Sequence, residues 1–158
     1  MAGVGRALVD PRQPRFGQAI TGVALGLGFV VSWEPVIPAI AGVLALASLA
    51  GPRANPYAYL FRWVKRVFRL GPPSELEEAA PPRFANTLGF LFTGTATVAH
   101  YAFGATILAW SLAVLVSALA LLAAITGLCV GCELYVLARR VATRGRVRSR
   151  VTVPRMGA

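Results

Sequence analysis

A chain of 158 residues that is 56% apolar and only 14% charged, with a mean hydropathy of +0.64, lacks the make-up of a water-soluble globule, in which about a quarter of residues are charged. Two cysteines are too few for a disulfide scaffold, and the long apolar runs exclude a disordered chain. The net charge of +10 comes from basic residues that flank those runs, a positive-inside pattern that points to the lipid bilayer as partner and not to nucleic acid.

In chain order, Arg6, Arg12 and Arg15 precede an apolar stretch from Phe16 to Leu49 that is broken only at Trp33-Glu34-Pro35. About 20 helical residues cross a bilayer core, so the stretch predicts two short helices, Phe16–Val31 and Val36–Ala50, joined by a tight turn. A secretory signal could open in the same way, but its apolar core runs to about 7–15 residues, and an uncleaved anchor is expected. Over Pro56–Leu70, Tyr57, Leu60, Phe61, Val64, Val67 and Phe68 recur at helical spacing, with Arg62, Lys65, Arg66 and Arg69 opposite. This predicts an amphipathic helix on the inner leaflet with Trp63 at headgroup depth; a solvated face docked on the rest of the protein is the alternative. Ser74 and Glu77 then have the spacing of a capping box for a short acidic turn, Glu75–Ala79.

The second apolar stretch, Phe84 to Ala138, predicts a third helix over Phe84–Ala99, a turn at His100–Gly104 and a fourth helix over Thr106–Ala138. His100 reads as an interfacial polar tip. The fourth helix would be roughly 50 Å long against a core of about 30 Å, so it either tilts and projects or breaks near Gly127 or Gly131. Cys129 and Cys132 are expected at its cytoplasmic, C-terminal end. Neither turn contains Lys or Arg, which predicts cytoplasmic termini and a cytoplasmic central loop. The expected fold is all-α: an integral membrane four-helix bundle as one domain over residues 1–140, with a basic, disordered tail over 141–158.

The chain also echoes itself. Pro14-Arg15-Phe16-Gly17-Gln18 matches Pro82-Arg83-Phe84-Ala85-Asn86, and Tyr59-Leu60-Phe61-Arg62 stands beside Tyr135-Val136-Leu137-Ala138-Arg139. Both hairpins start on the same side, so a duplication would be parallel about an axis along the membrane normal. It would set Arg15 and Arg83 at matching interfacial positions.

Reactive chemistry is confined to Gly127-Leu128-Cys129-Val130-Gly131-Cys132-Glu133-Leu134-Tyr135. A Cys-x-x-Cys pair is the minimal unit for disulfide exchange, a persulfide relay or half of a tetrathiolate metal site. A helix C-terminus and the neighbouring Glu133 would both raise the thiol pKa values. Cβ atoms three apart on a regular helix are about 5–6 Å apart, too far for a disulfide unless Gly127 or Gly131 breaks the helix. Otherwise the two glycines read as a small-xxx-small packing contact and the thiols as apolar fillers. Glu133, a carboxylate at the membrane boundary, needs a cavity or a basic partner, for which Arg15, Arg83 and Arg139 are candidates. No nucleotide loop or Ser-His-Asp set is present, and no cofactor or resident metal is expected.

Asp10-Pro11-Arg12-x-Pro14-Arg15-Phe16, Asn55-Pro56-Tyr57 leading to Leu60-Phe61-Arg62, Pro81-Pro82-Arg83-Phe84-Ala85 and Cys129-x-Gly131-Cys132-Glu133-Leu134-Tyr135 together resemble a bacterial family of small four-helix membrane proteins of unknown function, over about residues 8–140. Asn86, where Gln is the family's residue, is a conservative departure. Members are often predicted beside thioredoxin-like and rhodanese-type proteins, so the resemblance implies thiol redox or sulfur relay at the inner face of the cytoplasmic membrane. Cys129, Cys132 and Glu133 would be the working groups, and Gly127, Gly131, Arg15, Arg83 and Tyr135 the structural ones. The alternatives are a non-catalytic accessory or assembly subunit that dimerises or packs on another membrane chain, and passage or binding of a small sulfur species or metal ion.

Overall fold

The structure is a computed structural model that describes residues 8–49, 55–69, 71 and 76–148, with side chains to residue 141. Among the described residues the chain is all-α apart from one short ribbon. β1 (Leu8–Val9) is followed by α1 (Arg12–Val31), α2 (Val36–Leu49), α3 (Pro56–Val67), β2 (Glu77–Glu78), α4 (Ala80–Phe103), α5 (Thr106–Thr126) and α6 (Val130–Arg148). β1 and β2 pair antiparallel, Leu8 opposite Glu78 and Val9 opposite Glu77. α1 packs on α5, α2 on α4 and α4 on α5, while α3 lies against α1 and α6 against α4. By length and composition α1 and α5 could cross a membrane, and α2 is apolar but shorter.

Small residues set how closely these helices approach, because packing between apolar helices depends on backbone proximity and dispersion contacts. Ala96, Ala109 and Ala113 are fully buried beside Leu25 and Ile37. At Gly22 an added Cβ would lie 2.7 Å from Leu121 Cγ and 3.1 Å from its backbone nitrogen. One turn of Ser117 fastens the same crossing, its hydroxyl donating to the Gly22 carbonyl at 2.7 Å. Other hydroxyls in the apolar helices bond their own backbone: Thr93 to Gly89, Thr95 to Leu91 and Thr97 to Thr93, each at 2.8 Å, and Ser111 to Ile107 at 2.7 Å. Each of these hydroxyls thereby has an acceptor for its proton within an apolar helix.

Several boundaries depart from the sequence expectation. α1 begins at Arg12, where the Asp10 carboxylate accepts the Arg12 N–H at 3.0 Å. α4 begins at Ala80, because Pro81 and Pro82 suit a first helical turn, where their missing N–H groups have no intrahelical role. It also runs through His100 to Phe103, so the turn shrinks to Gly104 and Ala105, with Gly104 left-handed at φ 64°. α3 stops at Val67, and Leu70 lies outside the described residues. Of the expected acidic turn, Ser74 and Glu75 lie outside the described residues, while Glu77 and Glu78 are extended against β1. The tail expected from residue 141 is helical to Arg148, continuing a run in which cations suit a helix C-terminus; residues 149–158 lie outside the described residues. The long fourth helix breaks at Gly127, one of the outcomes its excess length allowed, and gives α5 and α6.

At one end of the helices the two turns meet, and His100 Nε2 bonds Glu34 Oε2 at 3.0 Å. His100 is thus a paired polar tip. At the other end the contacts of the two halves match. Arg83 donates to the Ser48 and Leu49 carbonyls at the end of α2, at 3.1 and 3.5 Å; Arg15 lies on Gly127 at the end of α5. Phe16 packs on Phe61 and Phe84 on Tyr135, each pair with ring centroids 5.7 Å apart. This register sets Phe61 against Tyr135, whereas the sequence echo set Tyr59 there. Gly22→Leu is expected to overpack the α1–α5 crossing and destabilise the protein by about 1–3 kcal/mol, read as a lowered midpoint of thermal unfolding in detergent by circular dichroism.

Candidate functional site

The site begins with a backbone event. Thr126 donates to the Leu122 carbonyl at 2.7 Å and accepts the Leu128 N–H at 3.1 Å. Gly127 then turns left-handed, φ 77°, its N–H still bonded to the Ala123 carbonyl. Glycine takes this conformation without strain and commonly closes a helix in this way. The Arg15 guanidinium covers it so closely that an added Cβ would lie 2.5 Å from Nη2, and a cation at a helix C-terminus is favourable. Two residues on, Cys129 opens α6: its carbonyl accepts the Glu133 N–H at 3.0 Å and its sulfur accepts the Cys132 N–H at 3.4 Å. Cys129 therefore holds the N-cap position, where a side-chain acceptor takes up an N–H that the helix cannot satisfy.

This reverses the expectation that the thiols lie at a helix C-terminus. The N-terminal end of α6 favours negative charge at Cys129. Hydrogen bonding from the Cys132 thiol lowers the Cys129 pKa most, ahead of donors from the Cys132 backbone, the Gln18 side chain and the Gly131 backbone. Against partial burial they hold it at about 6. The Gln18 amide Nε2 stands 3.2 Å from Cys129 Sγ. Cys132 moves the other way: its proton is engaged by Cys129, burial disfavours its charge, and Cys129, Glu77 and Glu133 repel it, so its pKa is raised. Both thiols are free and half-buried. The hydrogen bond between them thus favours negative charge on Cys129 and a proton on Cys132.

Glu133 is exposed in the first turn of α6 and has no ion-pair partner among the described residues. Its three candidate partners are engaged elsewhere: Arg15 on Gly127, Arg83 on the end of α2, and Arg139 with Glu78 at 3.5 Å. Gly131 does pack closely, an added Cβ falling 2.8 Å from Ala85 Cβ, and Tyr135 one turn on meets Phe84. The cations of α3 stand apart from the thiols. Tyr57, Ala58 and Phe61 are buried against the rest of the protein, Trp63, Arg66 and Arg69 are exposed, Arg62 stacks over Tyr59, and Lys65 reaches Asp10 at 3.3 Å.

Cys129 lines two cavities. A polar one of about 370 Å³ also presents Cys132, Glu133, Glu77, Arg15 and Gln18. An apolar one of about 250 Å³ runs from Cys129 between α4 and α5. Among the described residues no three His, Cys, Asp or Glu side chains converge to hold a metal ion. Gln18 and Glu77 were not singled out as site residues by the sequence. Gln18 was visible only as the amide of the repeated Pro-Arg-Phe opening, and Glu77 is brought in by the β1–β2 pairing.

A family model described as a domain of unknown function (DUF4395) matches residues 9–140, and the chain belongs to that family. No curated protein and no solved structure matches it. Alkylation of Cys129 by iodoacetamide, followed by peptide mass spectrometry, should be half-maximal near pH 6. Gln18→Leu removes a donor to the thiolate and is expected to move that midpoint upward, with Cys132 slow to react throughout.

Proposed function

We propose that this member of the DUF4395 family is a multi-pass protein of the bacterial cytoplasmic membrane, in which α1, α2, α4 and α5 form a four-helix membrane bundle and the Cys129–Cys132 pair exchanges electrons or sulfur with a soluble thioredoxin-like or rhodanese-type protein. The observation that carries this reading is Cys129 at the N-cap of α6, its sulfur accepting the Cys132 N–H and the Gln18 amide. Support for the membrane comes from the apolar outer surfaces, where Val30, Ile107 and Ile125 are 78–86% exposed, far more apolar surface than a soluble monomer leaves open. The described Lys and Arg lie toward the thiol end, and the two turns at the other end contain none, which supports cytoplasmic termini. Arg62, Trp63, Lys65 and Arg66 of α3, with Arg69 just beyond it, then meet the headgroups of the inner leaflet.

In the exchange, Cys129 as thiolate attacks a partner disulfide. A Cys129–partner S–S bond forms, the partner's bond breaks, and its leaving sulfur takes the electron pair. Cys132 then attacks Cys129 Sγ, closing the internal disulfide, while Glu133 accepts the Cys132 proton and passes it to the leaving partner sulfur; with one further proton from solvent the partner leaves as dithiol. The reverse sequence oxidises a partner dithiol. With a persulfide donor, Cys129 accepts the outer sulfur by the same attack. An N-cap residue lies outside helical geometry, so the spacing that forbids a mid-helix disulfide does not apply.

Cys132→Ser should trap a mixed disulfide between Cys129 and the partner, seen as a reducible adduct on non-reducing gels, whereas Cys129→Ser should trap none. Adducts that form equally well with Cys129→Ser would overturn the assignment of the nucleophile, and no adduct with either variant would overturn the function.

A further inference from the structure

The two halves of the chain make matching contacts, and the place where they differ lies beside Cys129. In the first half the Tyr57 ring inserts between α3 and α1. It lies on Gly17, where an added Cβ would come within 2.9 Å of Tyr57 Cγ, and its hydroxyl meets Thr21 Oγ1 at 2.6 Å. The register that sets Phe16 against Phe84 and Phe61 against Tyr135 puts Gly131, Ala85 and Gly89 at the places of Tyr57, Gly17 and Thr21. Gly131 does meet Ala85, as Tyr57 meets Gly17. No ring is supplied, and the apolar cavity of about 250 Å³ stands there, bordered by Ala85, Gly89 and Gly131. The first half therefore shows what fits the second: a planar six-membered ring carrying oxygen.

The walls narrow the chemistry further. Leu44, Leu88, Phe92, Val116 and Leu119 line the space, and no Lys, Arg, His, Asp or Glu side chain does, so its occupant is neutral. Two amides face it, Gln18 and Asn86, and Asn86 makes no hydrogen bond among the described residues; amide N–H groups suit carbonyl oxygens. Phe92 and Leu119, both more than a third exposed, bring the cavity to the outer surface of α4 and α5, which on the membrane reading is lipid. Cys129 forms its inner end, on the side away from the polar cavity.

Resting on the thiol-exchange reading above, we propose that this cavity binds the ring of a membrane-soluble quinone, which takes from Cys129 and Cys132 the electron pair that a soluble dithiol delivers at the polar face. Cys129 Sγ adds to a ring carbon and an S–C bond forms. Cys132 Sγ attacks Cys129 Sγ; the S–S bond forms, the S–C bond breaks and its pair stays on the ring. The reduced ring takes one proton from Cys132 and one from solvent and leaves as hydroquinone. The dithiol has lost two electrons and the quinone has gained two.

The test uses the full chain, reduced and freed of reductant, in bilayer nanodiscs with a fully ring-substituted benzoquinone bearing a decyl tail. Quinone absorbance and free thiols are followed together, and a water-soluble aromatic disulfide serves as a second acceptor. The expected result is one quinone reduced per Cys129–Cys132 disulfide formed. Two variants fill the cavity from different sides: Ala120→Phe from α5, and Ala85→Gly with Gly131→Tyr, which rebuilds the first half's ring. Each should slow quinone reduction about tenfold or more, while Ala120→Phe keeps its rate with the soluble disulfide. A wild-type chain that reduces the soluble disulfide but not the quinone overturns this inference and leaves thiol exchange standing; one that reduces neither overturns both. Wild-type rates with quinone in the filled variants, or loss of both reactions in both variants, also overturn the quinone site.

Discussion

The left-handed turn at Gly127 is the constraint on which the rest of the site depends. An apolar helix that continued past it would present Cys129 and Cys132 mid-helix, with their backbone N–H groups already bonded. Ending α5 at Thr126 frees the first N–H groups of α6, and Cys129 is the side chain placed to receive one. The turn tolerates no side chain, because Arg15 lies across it. Arg15 belongs to the first turns of α1, which packs along α5, so the crossing that Gly22 and Ser117 hold also brings a cation to the end of α5, beside the start of α6.

Much of this was legible in the sequence, for a simple reason: apolar periodicity and charge placement are local. The apolar helices, the turn after Val31, the helical spacing of Tyr57 and Phe61 and the common opening at Arg15 and Arg83 could all be read from neighbouring residues; that the Tyr57 and Phe61 face turns onto the protein was only the alternative to a lipid-facing one. The excess length from Thr106 to Ala138 also announced a break. Its consequence was not legible, because one glycine in an apolar run does not say on which side of a helix end the next cysteine falls. Counted as one helix, the pair acquires the electrostatics of a C-terminus; with the break, those of an N-terminus. Gln18 and Glu77 escaped for another reason. They reach the thiols through helix packing and a two-residue ribbon, and neither leaves a periodic trace.

The polar atoms follow a division of labour consistent with an apolar surround. Within α4 and α5 most hydroxyls fold back on their own helix, and Ser117 uses its hydroxyl to hold α5 to α1. Pairs that involve an acidic side chain are kept to the ends, the His100–Glu34 hydrogen bond at one and the Lys65–Asp10 ion pair at the other. The interior is thus held by backbone proximity between small residues, and the specificity of the fold rests on shape more than on charge.

Asn55 stands where Cys129 stands, capping the helix that follows the first hairpin and accepting the Tyr57 N–H at 2.9 Å. An amide does the same capping work as a sulfur but cannot change oxidation state. The duplicate arrangement is therefore chemically single: of the two matched caps, only Cys129 carries an atom that can change oxidation state.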